Sequence, residues 1–491
     1  MNPWWSLYFG MVALLALAGW LTLRPEYMFA LALLQFPRLP AKWSRLRLIA
    51  STLAAVALLY WQSSLPSVPV IVDKIKALSG FSLAYWAELL TRLDAGKWLV
   101  GLMAALAVYL LISNRLRVSV LALLLLGFSS VFTGGHAEIN DADVNATLMQ
   151  DVEDYYHAEA GRQVMFDRKS AGKQDVLIVQ VCSMGWADLT RFGLDKHPLW
   201  GKLDVLMTEF NSGTSYSNPA ALRLMRGNCG HTRHEDLYID ADASCYLGEQ
   251  LAAAGFKTDI LMNHTGEYSD FLTEVIKLGR FSNTVTHYSA PQLYKGFSGP
   301  AVADDETLLK KWWQERSTSP ESHATYYNTI SLHDGNHAIG QQKETNSVQD
   351  YPVRVKRLLD GLLRVFADME ASGRQVIVVV VGEHGAALGE HAAYHLEGLR
   401  ETPSPDVTLV PAGIKLIGFK NTSHQTVRYL TSYPELTTVL GQALSGHPLA
   451  PPHAGDAKFM AENQGKQVFG VAGSLYLRDE TGKWARMGDW E

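Results

Sequence analysis

Several side chains that can bind a metal or act as a nucleophile follow predicted buried strands in the second half of the sequence. They are Cys182, Ser217, His333, Glu383 and His384. A thiolate, a hydroxyl, a carboxylate and an imidazole form a sound tetrahedral zinc shell, in which the hydroxyl is the replaceable ligand of a catalytic site. The residue types therefore predict a catalytic metal centre.

Each of these residues also has a simpler interpretation. A cysteine after an apolar strand is often a small buried hydrophobe, and a serine before a helix is often a turn or capping residue. The Glu-His pair could lie in a surface loop, and His333 could hydrogen-bond within a turn. Because no compact ligand motif such as CxxC is present, the spacing alone leaves both interpretations open.

The position of Ser217 adds a physical reason for nucleophilicity. Asn218 and Pro219 favour the start of a helix directly after it. Backbone N–H groups and the dipole at a helix N-terminus stabilise negative charge, and zinc on the same oxygen would lower the pKa of the hydroxyl further. An alkoxide at this position could attack phosphorus, and the helix N-terminus would then hold the phosphate oxygens.

The elements that must position these residues alternate between short β-branched runs and amphipathic stretches. This pattern is typical of a mainly parallel sheet flanked by helices, and we predict an α/β fold. The predicted strands are 175–181, 203–210, 257–263, 324–332, 375–381 and 414–419, with a helix over 353–372 and a small antiparallel addition over 467–489. Open α/β sheets bind ligands at the carboxyl ends of their strands, so we expect the reactive residues at one edge.

The first part of the chain has a different composition. The 491 residues are 47% hydrophobic and 19% charged, and nearly all the long uncharged runs lie before about residue 135. We predict an α-helical membrane domain of about five transmembrane helices, at 4–23, 27–36, 48–65, 98–113 and 118–132. Basic residues after the second span and between the last two place the N-terminus in the cytoplasm and the C-terminal domain in the periplasm.

Composition and charge also define the domains and exclude some partners. We predict a transmembrane domain over 1–134, a linker and lead-in over 135–173, and a periplasmic catalytic domain over 174–491. A cleaved signal peptide explains the first apolar run less well, because it lacks a basic n-region and more spans follow. The net charge of −6 is mild and spread along the chain, which argues against a nucleic-acid partner.

Five longer stretches resemble the cellulose phosphoethanolamine transferase family, the G subunit of the bacterial cellulose synthase system. They read VCSMGWADL, SGTSYSNPAALRLMRGNCGHT, YYNTISLHDGNH, VVVVGEHGAALGE and GLRETPSP. The likeness covers most of 175–419, and the five-span layout is similar. The family belongs to the alkaline phosphatase superfamily, with the lipid A phosphoethanolamine transferases and lipoteichoic acid synthases. The resemblance implies an alkaline-phosphatase-like α/β domain and a zinc-dependent transferase of the bacterial inner membrane.

The same resemblance implies roles for individual residues. The implied zinc ligands are Cys182, Ser217, Glu383 and His384. Ser217 would be the nucleophile, and His333 would donate a proton to the leaving diacylglycerol and later accept one from the acceptor hydroxyl. Arg400 would contact the phosphate, and Tyr216 would line the pocket.

Some positions depart from the wider superfamily or carry no assignment. That superfamily usually has a carboxylate where this sequence has Cys182, and commonly a threonine where it has Ser217. These departures match the cellulose branch rather than the lipid A branch. His337, His391 and His395 lie near the motifs without an assigned role.

The implied reaction is a two-step phosphoryl transfer. Phosphatidylethanolamine would pass its headgroup to Ser217, and a glucosyl 6-hydroxyl of cellulose would then take it from the serine, with positioning and charge neutralisation supplying most of the catalysis. The membrane spans could also dock on the cellulose synthase complex in the inner membrane.

Two other classes of function remain open at this stage. One is a related enzyme, such as a phosphoethanolamine or glycerophosphate transferase acting on lipid A or another surface glycan, or a sulfatase. A sulfatase would require a CxPxR-type motif, which the sequence lacks. The other is a non-catalytic scaffold of the cellulose secretion complex.

The three cysteines divide into a pair and a single residue. The periplasm is oxidising, and Cys229 and Cys245 lie 16 positions apart in a loop-rich stretch, whereas Cys182 follows a core strand. We therefore predict a disulfide between Cys229 and Cys245. Zinc coordination would keep the Cys182 thiolate from oxidation.

Overall fold

The computed structural model describes most of the chain after residue 141. The described residues are 25–34, 40–62, 142–167, 174–340, 347–388, 400–420, 422–452 and 458–489, with isolated positions before residue 25. They belong to two compact units, one up to residue 62 and one from residue 142 onward.

The N-terminal unit contains helix α1 (Pro25–Leu33) and helix α2 (Ala41–Trp61). These helices overlap the second and third predicted membrane spans. None of the helices in the described ranges is both long and apolar enough to cross a membrane. The other predicted spans lie wholly or mostly outside those ranges: 4–23, 98–113 and 118–132. The predicted five-helix membrane domain is therefore not confirmed.

The second unit alternates helices and strands. Its helices are α3 (Ala142–Ala160), α4 (Trp186–Arg191), α5 (Ser217–Met225), α6 (Leu247–Ala253), α7 (Phe271–Lys277), α8 (Asp305–Arg316), α9 (Ser347–Ser372), α10 (Pro405–Thr408) and α11 (Tyr433–Leu444). Its strands before residue 428, in chain order, are β1 (Gln174–Val181), β2 (Val205–Asn211), β3 (Lys257–Met262), β4 (Val285–Thr286), β5 (Gln292–Lys295), β6 (Ala301–Ala303), β7 (His323–Thr329), β8 (His337–Ala338), β9 (Gln375–Gly382), β10 (Leu409–Ile417) and β11 (Gln425–Val427).

A mixed but mainly parallel sheet forms the centre of this unit, as predicted. Within the described chain it has eight strands, in the order β11-β2-β10-β9-β1-β7-β3-β4. Strand β10 runs antiparallel to both of its neighbours, β2 and β9. It begins at Leu409 rather than at residue 414 as predicted, since Leu409 and Val410 already pair with β2. The register shifts between Val410 and Ala412, around Pro411, which has no N–H to donate.

Helices cover both faces of the sheet, which explains the unbroken run of β-branched residues in β9. Its side chains divide alternately between two apolar clusters: Ile377, Val379 and Val381 in one, and Val376, Val378 and Val380 in the other. Helix α11 contributes Leu436 and Val439 to the first cluster, and α9 contributes Leu358 and Leu362 to the second. This packing holds the carboxyl ends of the central strands in fixed positions.

The C-terminal residues form a separate antiparallel sheet, with strands β12 (Met460–Asn463), β13 (Lys466–Val471), β14 (Ser474–Arg478) and β15 (Trp484–Asp489). This sheet agrees with the antiparallel addition predicted over 467–489, and the turn between β14 and β15 contains Glu480, Thr481 and Gly482. Strand β12 was not predicted, and its Asn463 contacts the loop that precedes α5. The small sheet therefore helps to position the loop that carries Ser217.

Candidate active site

Strands β1 and β9 bring three possible metal ligands together. The two strands are parallel neighbours whose last paired residues are Val181 and Gly382, so Cys182 and Glu383 leave the sheet side by side. One ligand atom from each of Cys182, Glu383 and His384 lies within 4.8 Å of the others, and all three residues are buried. The sheet register thus produces a compact group of a thiol, a carboxyl and an imidazole.

The backbone segments that follow β1 and β9 pass very close to each other beside this group. A Cβ atom on Gly382 would lie 2.4 Å from the carbonyl oxygen of Met184, so only glycine fits there without a shift. Ser183 has a φ of 58°, which is strained for a residue other than glycine. Strain of this kind directly after Cys182 is consistent with a functional site.

Ser217 completes the group from a different part of the sheet. It is the first residue of the nine-residue helix α5, which follows β2. Its Oγ lies 3.4 Å from Cys182 Sγ and 3.3 Å from His384 Nε2, and that Nε2 is 3.7 Å from the sulfur. Ser217 is only partly buried, unlike the three other residues, so its hydroxyl is on the open side of the group.

The charges of the buried groups fit a bound cation. Oε2 of Glu383 has no hydrogen-bond partner in the described part of the chain, and an unpaired buried carboxylate oxygen is costly. Burial raises the pKa of Glu383 to about 7, and burial together with the Glu383 charge raises the pKa of Cys182 to about 12. A cation would favour the ionised form of both residues. Sulfur, oxygen and nitrogen ligands of these kinds are those that zinc prefers, so the residues present fit a zinc ion.

The ring of His384 is oriented for ligation. Its Nδ1–H donates to the carbonyl oxygen of Gly385 at 2.8 Å, which leaves Nε2 with a lone pair directed at Ser217 and Cys182. Burial, reinforced by the positive charge of Arg400, lowers the pKa of His384 well below its usual value. The imidazole is therefore neutral, which is the form that binds a metal.

The structure also brings Arg400 and Tyr216 to this site. Arg400 Nη1 donates to the hydroxyl of Ser183 at 3.3 Å and lies 3.1 Å from His384 Nδ1. The Tyr216 hydroxyl donates to Glu401 Oε1 at 2.9 Å. Arg400 and Glu401 are both partly exposed, so at the rim of the site a positive group lies next to His384 and a negative group lies next to Tyr216.

His333 lies in the loop after β7, on the same rim. Its Nδ1–H donates to the carbonyl oxygen of Asp334 at 2.6 Å, and its ring stacks on Phe297 with 3.8 Å between centroids. Burial, followed by the charge of Arg400, lowers the pKa of His333 to about 3. The described contacts of His333 include no hydrogen bond to Ser217, and the low pKa means that the ring is neutral in the free protein.

Two residues that hold the site were not identified from the sequence. Asn463 Nδ2 donates to Ser215 Oγ at 2.7 Å and to the Glu401 carbonyl at 3.2 Å, which ties the loop before Ser217 to the segment after Arg400. Asp188 accepts hydrogen bonds from the backbone N–H groups of Ala386 and Leu388 at 2.6 and 2.9 Å. Asp188 lies in the VCSMGWADL motif and could have been found there, whereas Asn463 has no local signal.

Among the described residues, the other histidines and cysteines named from the sequence are not part of this group of ligands, except for Cys182. His337 forms the short strand β8 with Ala338, and His391 and His395 lie outside the described residues. Cys229 and Cys245 are joined by a disulfide, and Cys182 is a free, buried cysteine.

Comparison with known proteins gives consistent results for both parts of the chain. Residues 5–131 match the family model described as "Cellulose biosynthesis protein BcsG N-terminal domain", and residues 133–484 match "Cellulose biosynthesis protein BcsG C-terminal domain". The cellulose biosynthesis protein BcsG of Escherichia coli (strain K12) is 33% identical over an alignment 465 positions long, which covers 85% of this chain and 81% of that protein. The BcsG protein of Salmonella typhimurium (strain LT2) is 31% identical over an alignment 538 positions long, which covers 98% of this chain and 95% of that protein.

A solved structure supports the fold. The crystal structure of an alkaline phosphatase superfamily protein from Vibrio parahaemolyticus has a TM-score of 0.51 and 14% identity to this chain, and the match covers 69% of this chain and 88% of that one. At this identity the similarity shows the fold alone, and it confirms the predicted alkaline-phosphatase-like α/β domain. The resemblance recognised in the five motifs is also confirmed, since two family models and two relatives agree with it: the chain belongs to the BcsG family of cellulose biosynthesis proteins.

Proposed function

We propose that this protein transfers phosphoethanolamine from phosphatidylethanolamine to glucosyl 6-hydroxyls of cellulose, through a covalent intermediate on Ser217. The observation that carries this proposal is the contact of the Ser217 hydroxyl with both Cys182 Sγ and His384 Nε2 at the start of α5. Membership of a cellulose biosynthesis family supports the acceptor. The superfamily fold supports phosphoryl transfer as the reaction class.

The proposed cofactor is zinc. Its ligands would be Cys182, Ser217, Glu383 and His384. A bound zinc ion would lower the pKa of the serine hydroxyl and offset the charge of the phosphate oxygens. The partly exposed Ser217 is then the ligand that meets the substrate.

In the first step the oxygen of Ser217 attacks phosphorus, and the bond from phosphorus to the diacylglycerol oxygen breaks. The guanidinium group of Arg400 and the N-terminal N–H groups of α5 stabilise the negative charge on the phosphate oxygens. Burial, followed by the charge of Arg400, lowers the pKa of His333 in the free protein, and the phosphate anion offsets the second of these two causes. In this proposal the proton that Ser217 loses passes to His333, which delivers it to the leaving diacylglycerol oxygen.

In the second step a glucosyl 6-hydroxyl replaces diacylglycerol beside the serine. Nε2 of His333, now neutral, accepts the proton of this hydroxyl while its oxygen attacks phosphorus. The bond from phosphorus to Ser217 breaks, and the serine oxygen is restored for the next donor. The hydrogen bond from His333 Nδ1 to the Asp334 carbonyl holds the ring in the orientation that both transfers require.

The charges on the rim favour phosphoethanolamine over phosphoglycerol as the transferred group. Phosphoethanolamine carries a negative phosphate and a positive ammonium two carbons away. Arg400 would meet the phosphate, and the adjacent Glu401, held by the Tyr216 hydroxyl, would meet the ammonium. Glycerol offers no positive charge for Glu401.

The donor and acceptor suggest where the protein works. A lipid donor and an emerging glucan meet at the periplasmic face of the bacterial inner membrane. We propose a multi-pass membrane domain over 1–134, a linker over 135–173 and a periplasmic catalytic domain over 174–491, with the membrane domain docking on the cellulose synthase complex. The apolar runs and basic turns in the first part of the sequence support this arrangement.

The proposal can be tested on the polymer itself. Cells that lack the gene are supplied with the wild-type protein or with Ser217→Ala, and the extracellular glucan is analysed by phosphorus NMR. We expect phosphoethanolamine on the glucan only with the wild type. Unmodified glucan in both strains, with secretion dependent on the protein, would instead support a non-catalytic scaffold. Phosphoethanolamine on lipid A in place of the glucan would identify a different acceptor.

A further inference from the structure

A line of hydrogen-bonded polar side chains connects the loop after β3 to Glu383. His264 Nε2 lies 2.9 Å from Asn328 Oδ1, and Asn328 Nδ2 lies 2.6 Å from Glu383 Oε1. Asn328 is in β7, where it pairs with Gln180 of β1 and with Met262 of β3. The line therefore spans four neighbouring strands, from β3 to β9, just below the candidate metal site.

The donor and the acceptor of each hydrogen bond in this line can be assigned. The backbone N–H of Gly266 donates to His264 Nδ1 at 3.1 Å, so that nitrogen is an acceptor and the proton of the neutral ring is on Nε2. Nε2–H then donates to the carbonyl oxygen of Asn328. This fixes the orientation of the amide, whose NH2 group must face Glu383.

Asn328 cannot easily leave this position. Its Nδ2 also donates to the hydroxyl oxygen of Tyr326 at 3.0 Å, and the Tyr326 hydroxyl in turn donates to Gln180 Oε1 at 2.5 Å. Asn328, Tyr326 and Gln180 are all completely buried. Rotation of the amide would break several hydrogen bonds in a place that water does not reach, which is costly.

The line ends on only one oxygen of the Glu383 carboxyl group. Oε1 accepts the hydrogen bond from Asn328, whereas Oε2 has no hydrogen-bond partner in the described chain. The two oxygens therefore have different tasks. Holding Oε1 fixes the plane and rotation of the carboxyl group and leaves Oε2 for a ligand beside Cys182 and His384.

We propose that His264 and Asn328 are positioning residues of the metal site, which hold Glu383 by Oε1 so that Oε2 binds the metal. The proposal rests on the metal site of the proposed function. Neither residue touches the metal or the substrate. Hydrogen-bonding partners of metal ligands typically change metal affinity by about 10–100-fold when they are removed.

The alternative explanation is that these hydrogen bonds only stabilise the sheet. Paired variants distinguish this explanation from the positioning of Glu383. Asn328→Asp has nearly the same shape and keeps an acceptor for His264, but it places a carboxyl group where Glu383 needs a donor. His264→Gln keeps a side-chain donor for Asn328, whereas His264→Leu removes it. Asn228→Asp is the matched control, because Asn228 is also completely buried but donates to the carbonyl oxygen of Val164 at 2.7 Å.

The measurements are made on the purified full-length protein. Zinc affinity is obtained by competition with a chromogenic chelator, ligand geometry from the absorption spectrum of the cobalt-substituted protein, and folding from circular dichroism and thermal unfolding. We expect Asn328→Asp and His264→Leu to bind zinc about 10–100-fold more weakly and to change the cobalt spectrum. We expect His264→Gln and Asn228→Asp to remain near the wild type in both.

Clear results would overturn the proposal. If His264→Leu folds and binds zinc as tightly as the wild type, the line has no part in positioning Glu383. If a variant at one of the two positions fails to fold, the pair at the other position still tests the positioning role: His264→Leu against His264→Gln, or Asn328→Asp against Asn228→Asp. A wild-type protein that binds no zinc would remove the metal site itself, and one that binds zinc without transferring phosphoethanolamine would remove the proposed function and leave the positioning result intact.

Discussion

The hydroxyl oxygen of Ser217 lies 3.3 Å from Nε2 of His384, although 167 positions separate the two residues in the chain. The contact exists because Ser217 begins a helix after β2, while His384 follows β9, and both elements end at the same edge of the sheet. The proposed nucleophile and one of the proposed metal ligands therefore lie at the same edge.

The first prediction concerns the thiol of Cys182. Cys182→Ala should lose most of its zinc and most of its transfer activity, because one of four ligands is removed. Cys182→Asp should recover part of the zinc binding, because a carboxylate oxygen is also a zinc ligand. Metal content by mass spectrometry of the purified proteins measures both. Full zinc occupancy in Cys182→Ala would contradict the ligand role and favour a small buried hydrophobe.

The second prediction concerns the disulfide between Cys229 and Cys245. Replacing both by alanine should lower the free energy of unfolding by roughly 3 kcal/mol, because the loop of the unfolded chain is no longer closed. Denaturant unfolding of the variant and the wild type gives this difference. Zinc content is the control and should not change, since Cys182 is a separate, free residue. An equal stability of the two proteins would contradict the prediction.

The third prediction concerns the donor headgroup. Synthetic donors that carry phosphoethanolamine or phosphoglycerol on the same leaving group are compared with the wild type and with Glu401→Gln. The variant should use the phosphoethanolamine donor about 10–100-fold less efficiently, because a charge-assisted hydrogen bond of roughly 1.5–3 kcal/mol is lost, and should use the phosphoglycerol donor as before.

A surface glutamate provides the control for this comparison. Glu306 accepts hydrogen bonds from Arg364 and lies on α8, so Glu306→Gln should change neither rate. Equal losses with both donors in Glu401→Gln would show that Glu401 supports the site without recognising the ammonium group.

The fourth prediction concerns pH and His264. Burial lowers the pKa of His264 from 6.5 to about 4, so the unfolded chain binds a proton at this ring more readily than the folded protein does. The stability that comes from the neutral ring is complete above pH 6.5 and is lost as the pH falls toward 4. This ring should contribute a slope of up to about 1.4 kcal/mol per pH unit in that window.

Denaturant unfolding between pH 4 and pH 7 measures this slope. In His264→Gln the side chain cannot titrate, so stability should fall less steeply with acidification than in the wild type. Identical slopes for the two proteins would contradict the expected burial of a neutral ring.

Much of the sheet was predictable because burial on both faces requires long β-branched runs. The run in β9 shows this directly, and its end also located Glu383 and His384. The ends of β7 and β10 were less predictable. Strand β7 ends at Thr329 and not at Leu332, since the N–H of Ile330 bonds to the side chain of Asn263 rather than to a neighbouring strand.

The interactions around the reactive residues were not predictable from local pattern. Asn463 and Asn328 act through side-chain hydrogen bonds across 248 and 55 positions, respectively, and these distances depend on how strands and loops are packed. A strand as short as the four-residue β12 gives no periodic signal. Side chains that could do chemistry were therefore visible in the sequence, whereas those that orient them required the structure.

The most direct test of the account is the detection of the covalent intermediate. The full-length protein is incubated with phosphatidylethanolamine without an acceptor, digested, and analysed by peptide mass spectrometry. We predict one added phosphoethanolamine group on the peptide that contains Ser217, its absence in Ser217→Ala together with a loss of transfer by several orders of magnitude, and its disappearance when a glucan acceptor is added. An adduct on another residue, or transfer that continues in Ser217→Ala, would contradict the account.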